Sequence, residues 1–334
     1  MKRVRSLAAI GAAAALFAAC HDTDSTAPAR NMVAGGPALS VNAEPAVYSP
    51  ELAKIQDGLV ANGIKNVALA SAQLSVAVDS SGWQGATTLI ANNRTLTLTD
   101  AFVPRDPRRG GSANISYLVD ENNLLAVSRS ATNPRFNLTK TELMPELDAA
   151  MQRWQNQPSC GAPAITKVAY TPGTDPDLID GLVFGDPSRI GTSFADITQA
   201  GWLPRAFFDA IAPNGSAAIL GVTFTFVFID GNGKATDIDR DGRADVAFRE
   251  IYYNQRFFWT TDPTFAGGVD IQSVATHESG HAYGLGHFGY VFLDNAGVIH
   301  YAPKAIMNAV YVSSFRNLTG TDNAAFCQLW ANSK

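Results

Sequence analysis

The feature that most constrains this 334-residue chain is the string His-Glu-Ser-Gly-His-Ala-Tyr-Gly-Leu-Gly-His at residues 277–287. The chain has five histidines, and three of them, His277, His281 and His287, lie in this string. On a helix, His277 and His281 are one turn apart on the same face, so both imidazoles can reach one ion. Gly284 can take a positive φ, which lets the helix end and the chain return with His287 as a third ligand.

Three neutral imidazoles with an open fourth position favour zinc, which keeps its double charge and acidifies a bound water. Glu278 directly follows the first ligand, so we expect its carboxylate to reach that water and to act as the general base. The chemistry expected from these residues is hydrolysis of a peptide bond. The alternative is a surface helix with coincidental histidines, which leaves the helix-ending glycine and the third histidine unexplained.

The complete string resembles the signature of the metzincin clan of zinc endopeptidases, in which a methionine-containing turn follows the motif. The segment Ala305-Ile306-Met307-Asn308 is similar to the Ala-Leu-Met segment of matrixins. The resemblance implies that Met307 forms the hydrophobic floor of the zinc site, and an ordinary core methionine is the alternative. Residues 318–330 resemble the C-terminal helix of matrixin-like bacterial peptidases.

This resemblance implies an α+β fold, with a zincin-like catalytic domain built on a twisted mixed β-sheet, an active-site helix and a C-terminal helix. In that family, the last strand before the active-site helix binds the substrate as an added strand. The resemblance assigns this role to part of Val222–Phe228. Only His21 and His300 lie outside the motif, so one catalytic zinc is expected and no second zinc held by histidines.

The N-terminus predicts export from a bacterial cell. Basic residues precede an apolar run over residues 7–19, which is the layout of a signal peptide and too short to span a bilayer. Small residues before Cys20 resemble a bacterial lipobox, which predicts lipidation of Cys20 and anchoring at the cell envelope. Cleavage near Ala19 with free secretion is the alternative. Residues 20–45, rich in Ala, Ser, Thr, Gly and Pro, predict a flexible tether.

Two domains are expected beyond the tether. Residues 46–111 are expected to form a small N-terminal domain, either a propeptide or a permanent accessory domain, and residues 112–334 the catalytic domain. The boundary rests on residues 104–111, which break regular structure and place two arginines before two glycines, as processing sites do. The apolar spacing predicts a helix over Pro50–Asn62, a strand over Val67–Val78, and a helix over Thr139–Trp154.

Acidic residues at alternating positions indicate a second ion site. Carboxylates occupy positions 1, 3, 5 and 9 of a calcium-loop pattern, with Gly242 at position 6; these residues are Asp237, Asp239, Asp241 and Asp245. Phe248 stands at position 12, where an EF-hand has a glutamate. The pattern therefore indicates either a truncated calcium loop or an acidic turn between strands.

Two cysteines remain besides Cys20, and two cysteines in an exported protein suggest one disulfide, between Cys160 and Cys327. Astacins are similar in tying their C-terminal segment to the upper half of the domain. The rival is that residues 158–163 resemble the matrixin cysteine switch, in which a thiolate caps the zinc.

The formal net charge is −5, and the chain has no basic stretch interleaved with aromatic residues, which argues against nucleic acid as a partner. We expect a monomer with a protein or peptide substrate. Two alternatives use the same residues: a non-catalytic cell-surface binding protein on a metzincin scaffold, and a zinc amidase acting on cell-wall peptides.

Overall fold

The computed structural model describes residues 46–78, 86–91, 100–126, 138–157, 160–184, 194–294 and 298–330. Over these ranges the chain forms an α+β fold. The helices are α1 Pro50–Ala61, α2 Lys140–Gln155, α3 Ile179–Phe184, α4 Arg205–Ile211, α5 Gly215–Ala218, α6 Ile271–Ala282 and α7 Gly320–Trp330. The strands are β1 Val47–Tyr48, β2 Val67–Ala77, β3 Thr88–Ile90, β4 Asp100–Ala101, β5 Ile115–Val119, β6 Ile165–Lys167, β7 Ile197–Leu203, β8 Ile219–Phe228, β9 Ala244–Asn254, β10 Trp259–Thr260, β11 Val269–Asp270, β12 Tyr290–Leu293, β13 Ile299–Ala302 and β14 Val310–Tyr311.

One mixed sheet organises the fold, with strand order β1-β3-β2-β8-β9-β7-β5-β6 and with β14 beside β2 and β4 beside β9. Strands β6, β5, β7 and β9 are parallel to their neighbours in that row. Strand β8 is antiparallel to β9 and also antiparallel to β2. The α+β class and the mixed sheet expected from the sequence are confirmed.

Apolar residues on the two faces of this sheet form two cores. Alternation along β9 sends Ile251 to one face and Tyr252 to the other, so each face has its own packed helices. Helices α2, α6 and α7 cover the first face, and α1, α3 and α4 cover the second. The helix predicted over Thr139–Trp154 is confirmed as α2. The apolar side chains whose spacing of four, four and three residues predicted it are fully buried on one face; they are Leu143, Leu147, Met151 and Trp154.

The structure differs from the expected division at residue 111. Residues 46–111 and the rest of the described chain fall in one compact unit, because β2 lies inside the common sheet between β8 and β3. Helix α1 places Leu52 and Leu59, both 0% exposed, in the second core. An eleven-residue strand that is buried along its length needs hydrogen-bond partners on both edges. The expectation of a separate small N-terminal domain is therefore corrected.

The segment expected to be cut by a processing protease is also held in place. Residues Pro107–Arg109 form a 3₁₀ turn, and the Arg109 side chain is 2% exposed and donates to Asp196 over 2.8 Å. Arg108 pairs with the carboxylates of Asp106 and Asp245. The double-arginine pattern therefore marks an ion-paired turn that closes onto β7 and β9.

The disulfide between Cys160 and Cys327 joins the segment after α2 to helix α7, with Cα atoms 4.9 Å apart. The Cys160 sulfur is therefore bonded to Cys327 and is not free to cap a metal, as the cysteine-switch alternative required. Within the described ranges, none of the helices has the length and apolar content needed to cross a membrane. The signal peptide, the tether and the lipidation expected at Cys20 fall outside the described residues.

Candidate metal centre and active site

Helix α6 carries the motif and is buried on all sides, between the sheet and α2. It begins at its N-cap Asp270, whose side chain accepts from Ser273 N, and Arg316 pairs with the same carboxylate. Trp154 of α2 donates from Nε1 to the Thr276 carbonyl over 2.8 Å, which fixes α6 against α2. The histidines are thus presented by a helix that cannot shift without breaking buried polar contacts.

The three motif histidines converge. The Nε2 atoms of His281 and His277 lie 3.0 Å apart, those of His281 and His287 3.0 Å, and those of His277 and His287 3.1 Å. An ion about 2.0–2.1 Å from each nitrogen, the usual zinc–histidine distance, fits above the centre of such a triangle. The structure therefore brings together all three residues that the sequence predicted as metal ligands.

The other ring nitrogens hold the imidazoles in this orientation. His277 Nδ1 lies 2.7 Å from the Ile306 carbonyl, and His281 Nδ1 lies 2.7 Å from the Leu285 carbonyl. A carbonyl only accepts, so each Nδ1 carries the proton and each Nε2 presents a lone pair to the centre. Lone pairs facing each other at this distance repel unless a cation lies between them, so the donor set fits a divalent metal.

Burial keeps these imidazoles neutral. It lowers the pKa of His277 to about 4. Burial is also the main reason that the pKa values of His281 and His287 lie well below the ordinary value, and the neighbouring imidazoles lower them further. Neutral imidazole is the form that binds a metal ion, so the site is prepared for one at neutral pH.

Gly284 makes the turn that returns His287 to the site. Its φ is 101°, as the sequence analysis predicted, and the N–H of Leu285 donates to the Gly280 carbonyl. A Cβ at Gly284 would meet the Asp100 carbonyl oxygen at 3.2 Å. Asp100 pairs with the buried Arg249, which also donates to the His281 carbonyl over 2.6 Å. This turn is thus tied to the sheet through Arg249.

Glu278 lies on the same helix but its carboxylate is enclosed, with 0% exposure. Ser75 Oγ donates to Oε1 over 2.5 Å, and Thr223 Oγ1 donates to Oε2 over 2.7 Å. Burial raises the pKa of Glu278 to about 8, against the opposing effect of these hydrogen bonds. The sequence predicted a carboxylate facing water beside the metal, whereas here both oxygens accept from strands β2 and β8. Sequence patterns gave no signal for Ser75 or Thr223.

Met307, which the resemblance implied as the floor of the zinc site, is 0% exposed and lies against the helix that carries the motif. A Cβ on Gly280 would come within 2.3 Å of the Met307 sulfur and 2.7 Å of the Trp154 ring. Glycine at the third position after His277 is therefore what allows the methionine to reach the helix. The motif leaves this position free, so sequence reasoning missed it.

Asp322 of α7 holds the turn that contains Met307. Its carboxylate accepts from the backbone N–H groups of Ile306 and Met307, and it is 0% exposed. The Ile306 carbonyl is the group that orients His277. Asp322 is therefore a further residue whose role sequence reasoning missed, because its partners are distant along the chain.

A small cavity of about 40 Å³ lies beside His277. Ser75 lies on one side of it, and the segment after Met307 forms another side, with Tyr311 and Phe315 among its residues.

The acidic residues at 237–245 form a loop between β8 and β9. Oxygens of Asp237, Asp239 and Asp245 lie within 4.8 Å of one another, while Asp241 is outside that group and accepts from the N–H of Arg243. Asp245 also accepts from Arg108 and Thr236. The loop thus brings together three of the four predicted ligands, and one of these already faces a cation.

Comparison with known proteins adds no family assignment. No family model matches the chain, and no curated protein matches it significantly.

Proposed function

We propose that this chain is a zinc-dependent endopeptidase with a zincin-like catalytic domain of metzincin, matrixin-like type. The observation that supports this most is the triangle of three Nε2 atoms 3.0–3.1 Å apart, with two of the Nδ1 atoms directed at backbone carbonyls. Three converging histidines, two of them buried and one partly buried, with a glutamate next to the first, are the donor set of a hydrolytic zinc site.

In this proposal His277, His281 and His287 hold the metal, and Met307 packs beneath them. Zinc, when bound there, supplies Lewis-acid polarisation of the scissile carbonyl and acidification of a water. Glu278 accepts the proton from the water that attacks the carbonyl carbon. It then passes this proton to the departing amide nitrogen as the C–N bond breaks. Before it can do so, one of its oxygens has to exchange a hydroxyl partner, Ser75 or Thr223, for that water.

We further propose that the protein works outside the cytoplasm, bound to the envelope through a lipid on Cys20. The disulfide between Cys160 and Cys327 supports an oxidising compartment. The apolar run and small residues before Cys20 support export and lipidation. The acidic net charge argues against nucleic acid as a partner.

The test compares three forms of the full-length protein with zinc: wild type, Glu278→Gln and Glu51→Gln. Glu51 is a surface residue of α1 paired with Lys54, so its substitution is the matched control. We expect zinc-dependent cleavage of a fluorogenic peptide library, retained in the control and reduced about 10²–10⁴-fold in Glu278→Gln. A sensitive substrate is used so that the rate of Glu278→Gln can be measured and compared with the wild-type rate even if hydrolysis is slow.

Zinc content is measured on the same samples. Equal zinc in all three forms, with cleavage lost only in Glu278→Gln, identifies the general base. If zinc binds stoichiometrically and no peptide is cleaved, either by these forms or by a variant in which β2 is loosened from β8, the endopeptidase proposal is wrong.

A further inference from the structure

Strand β2 fills the space between β8 and β14 beside His277, and this space is called the groove below. One of its edges pairs with β8, antiparallel, from Val67 opposite Phe228 to Val76 opposite Ile219. Its other edge pairs with β3, antiparallel, around Ala72 opposite Leu89, and further along with β14, parallel, with Val76 opposite Val310. Since β8 packs against α6 and β14 follows the Met307 turn, β2 lies between the two segments that border the metal centre.

The contacts of β2 are closest at the catalytic glutamate. Ser75, whose hydroxyl donates to Glu278, is the register partner of Gly221 on β8. A Cβ on Gly221 would come within 2.8 Å of the Glu278 carboxylate, so the glutamate is enclosed between the two strands. The N–H of Val76 donates to the Ala309 carbonyl over 2.9 Å.

A bound peptide would use the same backbone groups of β8 and of the segment after Met307 as hydrogen-bond partners. A peptide that reaches Glu278 in extended form gains affinity by adding to a strand edge through its backbone. Here the edge of β8 is already paired with β2. The carbonyls of Ala309 and Tyr311 already accept from the N–H groups of Val76 and Val78. Glu278 is 0% exposed and His277 is 5% exposed under this strand. Substrate and β2 therefore cannot occupy the groove together.

We propose that residues 67–78 are a built-in competitor of the substrate, which holds the peptidase in a latent state until this strand leaves the groove. The inference rests on the proposed function and concerns the regulation of the same site. It also defines how substrate binds: as an extended segment that replaces β2 between β8 and β14, with one residue taking the place of Ser75 beside Glu278.

The strand pairing is interrupted where release has to begin. The β2–β8 register shifts between Ser75 and Val76 and again between Leu69 and Ser71, and such bulges locally disrupt the hydrogen-bond ladder. Release is expected to start as a local opening at these bulges; it exposes the β2 residues of the second core, such as Leu69 and Leu74, while Arg109 stays ion-paired. Removal of the whole segment 46–111 is not required.

A double variant, Leu74→Cys with Val222→Cys, tests the proposal with two states of one protein. The two residues are direct register partners, one position from Ser75. In the reduced variant, cysteine replaces the larger buried side chain of Leu74, which weakens the packing of β2 on β8. In the oxidised variant, the new disulfide fixes β2 on β8. Wild-type protein is given the same oxidation and reduction treatments, which controls for effects on the native Cys160–Cys327 bond.

With zinc bound, we expect the reduced variant to cleave the peptide library at least tenfold faster than the oxidised variant. We expect wild type to show no such difference between the two treatments. Equal rates in the two states of the variant would overturn latency while leaving the peptidase intact. Absence of cleavage in every state, with zinc bound, would overturn the proposed function and the inference with it.

A second measurement does not depend on turnover or on a folded variant. Amide hydrogen exchange of residues 67–78 is followed in zinc-loaded wild type with and without a peptide hydroxamate, which binds the metal and lies along the groove. We expect these amides to lose protection when the hydroxamate binds, while those of α2 keep it. If the hydroxamate binds and residues 67–78 stay protected, the strand is not a competitor and the proposal is wrong.

Discussion

The histidine cluster and the acidic loop at residues 237–245 differ in what surrounds their ligand atoms. His277 and His281 each use one ring nitrogen to bond a backbone carbonyl, so the other points to the centre. In the loop, Asp237 is exposed and its oxygens already accept the N–H groups of Asp241 and Gly242. Ligand spacing is present in both segments. Only the first also has partners that hold the ligands in place and leave the donor atoms free.

The sharpest test of this contrast removes one ligand from each segment. We expect His281→Ala to weaken zinc binding on the order of a thousand-fold, about 4 kcal/mol, because a three-ligand site loses one of its bonds. We expect Asp239→Asn to leave zinc affinity unchanged. Competition with a chelating dye measures both. A large loss of zinc affinity in Asp239→Asn would show that the acidic loop and the histidine cluster are coupled. The contrast between their ligand environments would then be wrong.

The next test concerns packing beneath the cluster. Gly280→Ala places a methyl group against Met307 and Trp154, so we expect it to lower the free energy of unfolding by about 1–3 kcal/mol. Gly286→Ala is the matched control in the same motif, since a Cβ there meets no atom within 4 Å. Urea unfolding of the zinc-loaded protein measures both. Equal stability of the two variants would show that the methionine can move aside.

A smaller effect is expected from the residue that supports His277 indirectly. Asp322→Asn weakens the acceptor of the Ile306 and Met307 N–H groups, and we expect zinc affinity to fall about 10–100-fold. The neighbouring Asn323→Ala is the control on the same helix. The result to look for is a loss of zinc affinity larger than any loss of thermal stability. Stability lost with affinity intact would show that Asp322 only anchors α7.

The carboxylate of Glu250 is buried but lies outside both candidate ion sites, so it shows the effect of burial alone. Glu250 of β9 is 0% exposed and accepts the N–H groups of Leu178 and Ile179, which lie at the start of α3. Burial, mainly, raises its pKa from 4.5 to about 8. Between these values the folded chain holds a proton that the unfolded chain has released. The free energy of unfolding therefore falls as pH rises through this range, by at most about 1.4 kcal/mol per pH unit.

Glu250→Gln should make this dependence less steep, by the contribution of one group, and Glu51→Gln at the partly exposed surface of α1 should leave it as in wild type. Urea unfolding of the zinc-loaded proteins between pH 5 and pH 8 gives the comparison. If wild type and Glu250→Gln lose stability in parallel over this range, Glu250 is not the group that titrates.

Local patterns in the sequence predicted the parts of the site that are close together along the chain. The histidine spacing, the positive φ of Gly284 and the apolar face of α2 each follow from one helix or one turn, so they were predicted correctly. Ser75 was not, because its contact with Glu278 joins residues 203 positions apart. A serine inside an apolar strand has no signature that tells which groove the strand will enter.

The misplaced domain boundary has the same physical cause. The break at residues 104–111 is real as a turn, but a turn does not determine which sheet the preceding strand joins. The length and apolar character of β2 predicted a strand, and only the packing against β8 and α1 shows that this strand is central. Two arginines before two glycines looked accessible because their ion-pair partners, Asp196 and Asp245, are far away in sequence.

The support that Asp322 gives to Ile306 and Met307 also has a consequence for the order of events during folding. Helix α7 follows all three histidines along the chain, yet its aspartate holds the turn whose Ile306 carbonyl orients His277. A chain in which α7 has not docked therefore has the three histidines without this contact. The arrangement of His277 thus depends on the docking of a helix at the far end of the described chain.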